Sequence, residues 1–74
     1  MENSVYKIIE LVGSSPESWE KAAQNAVDMA SQTLRDLRIA EVVEMDCQLE
    51  GGKIFSYRTK VRLSFKVERL SKEK

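Results

Sequence analysis

The 74-residue chain has no histidine, one cysteine, one proline and three glycines. Each scarcity excludes something. Without histidine the usual zinc and iron sites lose their commonest ligand, and hydrolytic triads lose their base. The lone Cys47 cannot close a disulfide within the chain. No apolar run approaches the ~20 residues of a membrane-spanning helix, and the N-terminus shows no basic region followed by an apolar one. Charge of one sign is missing too. Twelve basic and twelve acidic residues cancel, so no overall field draws the chain to nucleic acid or anionic lipid. No nucleophile elbow, P-loop or dinucleotide fingerprint occurs. A free cysteine suits a reducing compartment. These absences point to a cytoplasmic protein with no enzymatic activity, no nucleic-acid partner and no membrane.

What remains is one small domain, residues 1–74, with a thin core. A chain this short buries only about 60% of its unfolded surface. Small scaffolds of this kind lean on disulfides, metals or partner subunits. With the first two removed, the expectation is a homo-oligomer.

Residues 5–12, V-Y-K-I-I-E-L-V, are rich in β-branched side chains and stop at Gly13, which predicts a strand. Both of its faces carry apolar residues, so both are at least partly covered. Ser15-Pro16 reads as a helix start, with serine as the cap and proline at the first helical position. Glu17 and Glu20 suit the positive end of the helix dipole, and Arg35 and Arg38 the negative end. Between them Trp19, Ala22, Ala23, Ala26, Val27, Ala30, Leu34 and Leu37 recur at helical spacing. The spacing predicts a helix over 16–37 whose alanines let it lie close to a sheet. Residues 40–50 and 54–69 read as two strands around Gly51-Gly52, and the last residues as a solvated tail. The second strand alternates cleanly, with Tyr57, Thr59, Val61, Leu63 and Phe65 on one face and Arg58, Lys60 and Arg62 on the other. The fold class is therefore α+β, in the order β-α-β-β, with a bent three-stranded antiparallel sheet wrapped on one helix.

Register follows from the faces. A two-residue Gly51-Gly52 loop would set Leu49 opposite Ile54, joining an apolar-face residue to a polar-face one, whereas paired residues share a face. A three-residue loop, Gly51-Gly52-Lys53, pairs Leu49 with Phe55, Val43 with Val61, Asp46 with Arg58 and Glu44 with Lys60. The three-residue register is the one expected here. It leaves a charged stripe on the hairpin face away from the helix, and long strand edges that need cover. Arg58, Lys60, Arg62 and Lys66 could track phosphates, but the acids across from them favour a solvated or interface face. Cys47 falls on the core face with no activating neighbour in sequence, so it reads as packing. Trp19, beside the alanines, also reads as packing.

The strand-to-helix segment from Val5 to Trp19, the Ala-rich helix face and the hairpin ending S-Y-R-T-K-V-R-L-S-F-K-V together resemble the dodecins, over roughly Val5 to Glu68. The resemblance implies a hollow twelve-subunit shell that binds a small ligand or ion for storage or buffering. In flavin-binding dodecins the position after the helix is a tryptophan, and pairs of these indoles sandwich flavin rings. Here that position is Ile39, which offers no flat π face. The family's glutamine after the third-strand tyrosine is here Arg58, all donors and no acceptor. Both departures lean towards the calcium dodecins, a branch that keeps the shell and binds calcium. Calcium takes six to eight oxygen ligands, and Glu41, Glu44, Asp46 and Glu50 are the local supply. No EF-hand loop occurs, but symmetry can build a cluster from one carboxylate. Glu44, with Asp46, is the metal candidate, because dodecin-like shells carry an acidic residue here near a symmetry-related pore. The plainer alternative has Glu44 and Asp46 simply pairing with Lys60 and Arg58. Flavin (riboflavin or FMN), and a structural shell without a ligand, remain the other two readings.

Overall fold

The computed structural model describes residues 4–67. The chain runs β1 (Tyr6–Ser15), α1 (Trp19–Ser31), β2 (Leu37–Glu50) and β3 (Lys53–Lys66). The three strands form one antiparallel sheet in the order β1-β3-β2. This is the α+β, β-α-β-β fold expected. Residues 68 and 69, placed above in the last strand, and the tail lie outside the described residues.

The core is a thin layer between α1 and the sheet. Ala22, Ala26 and Ala30 of the helix lie buried with Val61 and Leu63 of β3. Ile9, Leu11, Val27, Leu34 and Leu37 pack partly around this cluster. Alanine every fourth residue gives the helix a flat side, so its backbone can sit directly on the sheet. Gly13 is where it comes closest. A Cβ there would run into the backbone carbonyl of Ala22 and stand 3.1 Å from Ala26 Cβ. Gly13 therefore does not end the strand. β1 continues through it to Ser15, with Gly13 opposite Thr59 and Ser15 opposite Tyr57.

The helix is shorter than its periodicity suggests. It starts at Trp19, after an extended Ser18 whose hydroxyl accepts from Lys21 N–H. Ser15 instead accepts from Glu17 N–H at 2.9 Å and shapes the bend before the helix. Two serines three apart both suit a cap, and the sheet decides which one is free, because Ser15 is still paired within it. At the other end Ser31 bonds back to the Val27 carbonyl at 2.7 Å. Gln32, Thr33 and Leu34 close the last turn on the carbonyls of Met29 and Ala30. Serine and threonine are weak helix formers, and Asp36 takes a left-handed φ of 60°. Leu34 and Leu37 keep helical spacing but reach the core from a loop and from β2. Arg35 and Arg38 consequently do not sit at the helix end.

The hairpin register is partly corrected. Leu49 does pair with Ile54, and Glu50 with Lys53, so the loop has two residues. Gly51 and Gly52 have φ of 59° and 76°, the double left-handed pair that matches strand twist in a two-residue turn. The face conflict is resolved in the strand instead. Phe55 is an unpaired bulge, after which Gln48 faces Ser56, Asp46 faces Arg58 and Glu44 faces Lys60. The two charged pairs thus form as expected. A second bulge at Val43 shifts the register again, so Val42, not Val43, faces Val61. A third lies at Arg38. Bulges raise the local twist and bend the strand, which lets the long hairpin curve over a short helix.

The helix lies over β1 and β3 and leaves β2 largely bare. Val42 and Met45 share the helix-side face of the sheet yet are mostly exposed, as are Leu49, Ile54 and Phe55 at the hairpin tip and Val12 and Met29 at the opposite edge. This is more exposed apolar surface than isolated surface residues account for, and it marks contact surfaces. Among the described residues no helix is long and apolar enough to cross a membrane.

Candidate functional site

Thr59, Val61 and Leu63 point at the helix, so the residues between them point away. The away-facing surface is crossed by rows that run through all three strands. One row is Glu10–Arg62–Glu41, the next Val12–Lys60–Glu44, the next Ser14–Arg58–Asp46. β3 supplies the cations and its two neighbours the acids, so Arg58, Lys60 and Arg62 of the stripe have acidic partners. The phosphate-tracking reading loses its free charges.

Asp46 is the most firmly held of the acids. Arg58 donates from Nε and Nη2 to the two Asp46 carboxylate oxygens, each at 2.8 Å. This fork-on-fork geometry is the strongest common form of the pair. The same residue is anchored from behind, because Trp19 Nε1 donates to its backbone carbonyl at 2.9 Å. Trp19 also meets Tyr57 edge to face, with ring centroids 4.9 Å apart, and its carbonyl accepts from the Thr59 hydroxyl at 2.8 Å. The tryptophan is thus packed and bonded as scaffold.

Arg62 is shared. It donates to Glu10 at 2.8 Å and stands 3.5 Å from Glu41. Sequence reasoning missed this bridge, because Glu10 comes from β1 and no local signal sets the pairing of β1 with β3. The Val43 bulge also moved Glu41, not Val42, opposite Arg62.

Glu44 is the loosest of the three paired β2 acids. Among the described residues its only close cation is Lys60, at 3.7 Å, and 66% of its side chain is exposed. Among the described residues no three Asp, Glu, Cys or His side chains stand together as a metal site. The described residues of one subunit therefore offer single carboxylates, not a cage.

Ile39 lies on the same face, opposite Ser64. Arg58 lies six positions away along β3, roughly 20 Å at strand rise. One subunit cannot bring both to one ligand. Arg58 is moreover occupied by Asp46. Cys47 sits opposite Tyr57, half-buried on the helix side.

The pairs have a pH signature. The hydrogen bond from Arg58, opposed by desolvation and helped by its charge, holds the Asp46 carboxyl below the ordinary carboxylate range. Arg62 does the same for Glu10, and each arginine is pushed up in turn. A lowered folded-state pKa means that stability is present above the unfolded values, about 3.9 for Asp and 4.3 for Glu, and is lost as pH falls through the lowered folded ones. We expect thermal stability to drop progressively below about pH 4. Asp46→Asn should flatten part of that drop in melts taken across pH. An unchanged acid limb in the variant would show that the pair carries none of it.

Comparisons with known proteins agree with one another. The dodecin family model matches residues 5–68. Calcium dodecin of Mycobacterium tuberculosis is 44% identical over 64 residues, covering 86% of this chain and 90% of its own length. The structure of that calcium-chelating antigen, described with a novel calcium-binding site, matches at a TM-score of 0.79 and 41% identity, over 96% of this chain and all of its own. The dodecin of Streptomyces coelicolor matches at a TM-score of 0.87 and 39% identity, over 93% of this chain and 99% of its own.

Proposed function

The chain belongs to the dodecin family, and from that premise we propose that it is a non-catalytic storage shell whose ligand is a divalent cation, calcium first, held by Glu44 repeated around a symmetry axis. The observation that carries this is the contrast on β2. Asp46 spends both carboxylate oxygens on Arg58, while Glu44 has one loose, exposed lysine contact. A hard cation needs oxygen donors that can leave their present partners. Glu44 meets that condition and Asp46 does not. Three bidentate carboxylates meeting on an axis would supply about six oxygens, the lower end of calcium's range. The similarity to calcium dodecin supports the same ion.

Flavin is the weaker reading on this surface. Ile39 gives no ring to stack on, and the Arg58 donors are committed to Asp46. The protein is then colourless and gains thermal stability with calcium by mass action, about 2.7 kcal/mol at a hundredfold excess over Kd.

Calorimetric titration of the unmodified assembly, its mass confirmed by light scattering, should show calcium binding and no tight riboflavin or FMN binding. Glu44→Gln should keep the assembly mass and weaken calcium binding at least tenfold, about 1.4 kcal/mol per site. Calcium binding that survives Glu44→Gln would assign the ion elsewhere. Tight flavin binding would restore the flavin reading.

A further inference from the structure

The three charged rows are not equal. They hold three cations, Arg58, Lys60 and Arg62, and four acids, Glu10, Glu41, Glu44 and Asp46, so the rows together are one charge negative. Arg58 spends its fork on Asp46, and Arg62 is divided between Glu10 and Glu41. Lys60 stands between the two arginines on β3, each roughly 7 Å away at strand rise. Its row gives it Val12 on one side and Glu44 on the other. Glu44 is thus the one acid its ammonium meets among the described residues, and at 3.7 Å the contact is longer than a hydrogen bond. The charge of Lys60 reaches further. The Glu10 carboxyl, held low first by the hydrogen bond from Arg62, also feels Lys60, and so does Asp46 beside Arg58.

The choice of lysine has a chemical consequence. An arginine fork locks a carboxylate with two parallel bonds, whereas an ammonium is a compact point charge on a flexible stem. Lys60 therefore neutralises Glu44 without tying down its oxygens. A free cation that binds those oxygens must displace the ammonium. A monovalent ion brings no more charge than the ammonium and lacks its tether, which holds the ammonium at an effective concentration of about millimolar. A divalent ion brings twice the charge and wins the exchange.

We propose that Lys60 is a resident counter-ion of Glu44, released when a divalent cation binds, and that it sets both the affinity of that carboxylate and its preference for divalent over monovalent ions. This rests on the reading of Glu44 as the cation ligand and adds the residue that regulates it. Asp46 stays outside the exchange because its arginine holds both oxygens.

The test changes Lys60 in two directions in the assembled protein and titrates calcium by calorimetry. An exposed ion pair is worth up to about fivefold in an equilibrium constant. Lys60→Met keeps the stem without the charge and should tighten calcium binding about three- to fivefold. Lys60→Arg keeps the charge, supplies a fork, and should weaken binding about threefold or more. A residue that only packs would show the opposite order, tolerating arginine better than methionine. In a Glu44→Gln background neither substitution should matter. Replacing sodium chloride by tetramethylammonium chloride at equal ionic strength should tighten calcium binding in Lys60→Met and leave the parent unchanged. Equal affinity in parent and Lys60→Met, the same gain in the Glu44→Gln background, or an equal response to sodium in the two would each overturn the proposal. Whether Glu44 holds the ion is read separately, from the parent against Glu44→Gln. Calcium binding by Lys60→Met and not by the parent would uphold the counter-ion and overturn the calcium reading, and binding by neither would overturn both. Lys60→Gln gives the same readings should the methionine variant fail to assemble.

Discussion

Gly13→Ala is expected to cost about 3 kcal/mol or more per subunit, beyond the usual range for one added methyl group in a core. The added methyl would meet the Ala22 backbone carbonyl and Ala26 Cβ. Backbone cannot rotate aside as the end of a long side chain can. The helix must lift, and lifting it separates Ala22, Ala26 and Ala30 from Val61 and Leu63, the buried apolar core among the described residues. For a domain of this size the melting temperature should fall by more than about 10 °C. Thermal melts of variant and parent at one protein concentration check this. The informative control is Gly52→Ala. Nothing stands near a Cβ at Gly52, but its φ is 76°, so the cost there is about 1–2 kcal/mol of left-handed backbone strain. A Gly13→Ala melt within 2 °C of the parent would mean that helix and sheet are not held as close as described.

The second large effect is expected at Trp19. Trp19→Ala should cost about 2–3 kcal/mol, below the 3–5 typical of a buried aromatic, because 37% of the residue is exposed. It removes the edge-to-face contact with Tyr57 and the indole bond to the Asp46 carbonyl. Trp19→Phe keeps a ring against Tyr57 and loses the N–H, so about 1 kcal/mol is expected. The order Ala worse than Phe worse than parent, in melts of the intact assembly, is the readout. If both variants melt with the parent, the indole is not scaffold.

These two residues show where sequence reasoning reached and where it stopped. Trp19 was legible: an aromatic in the first turn of an Ala-rich helix packs on the sheet. The small residues of the helix face were legible too. The role of Gly13 was not, because a glycine that ends a strand and one that admits a helix look alike in sequence. Ser15 and Ser18 pose the same difficulty. Both are good caps, and only the pairing of Ser15 within the sheet leaves the task to Ser18.

The candidate site was read in halves. The pairs Asp46–Arg58 and Glu44–Lys60 followed from hairpin register and charge, and they form. The turn that sets the register was not legible, because a bulge at Phe55 does the work of a longer loop. Gly51-Gly52 favours the two-residue turn locally, and the strand absorbed the mismatch.

What the sequence by itself determined is whatever depends on near neighbours and on period: the strand–helix–strand–strand order, the apolar faces, the small-residue helix and the opposite charges across the hairpin. The tertiary structure decided what depends on distant partners. It chose the cap, ended the helix at Ser31, placed three bulges and put Glu10 and Glu41 on either side of Arg62. The reason is physical. Bulges and cross-sheet bridges are fixed by how a short helix and a long curved hairpin fit over one thin core, and that fit is a property of the whole chain.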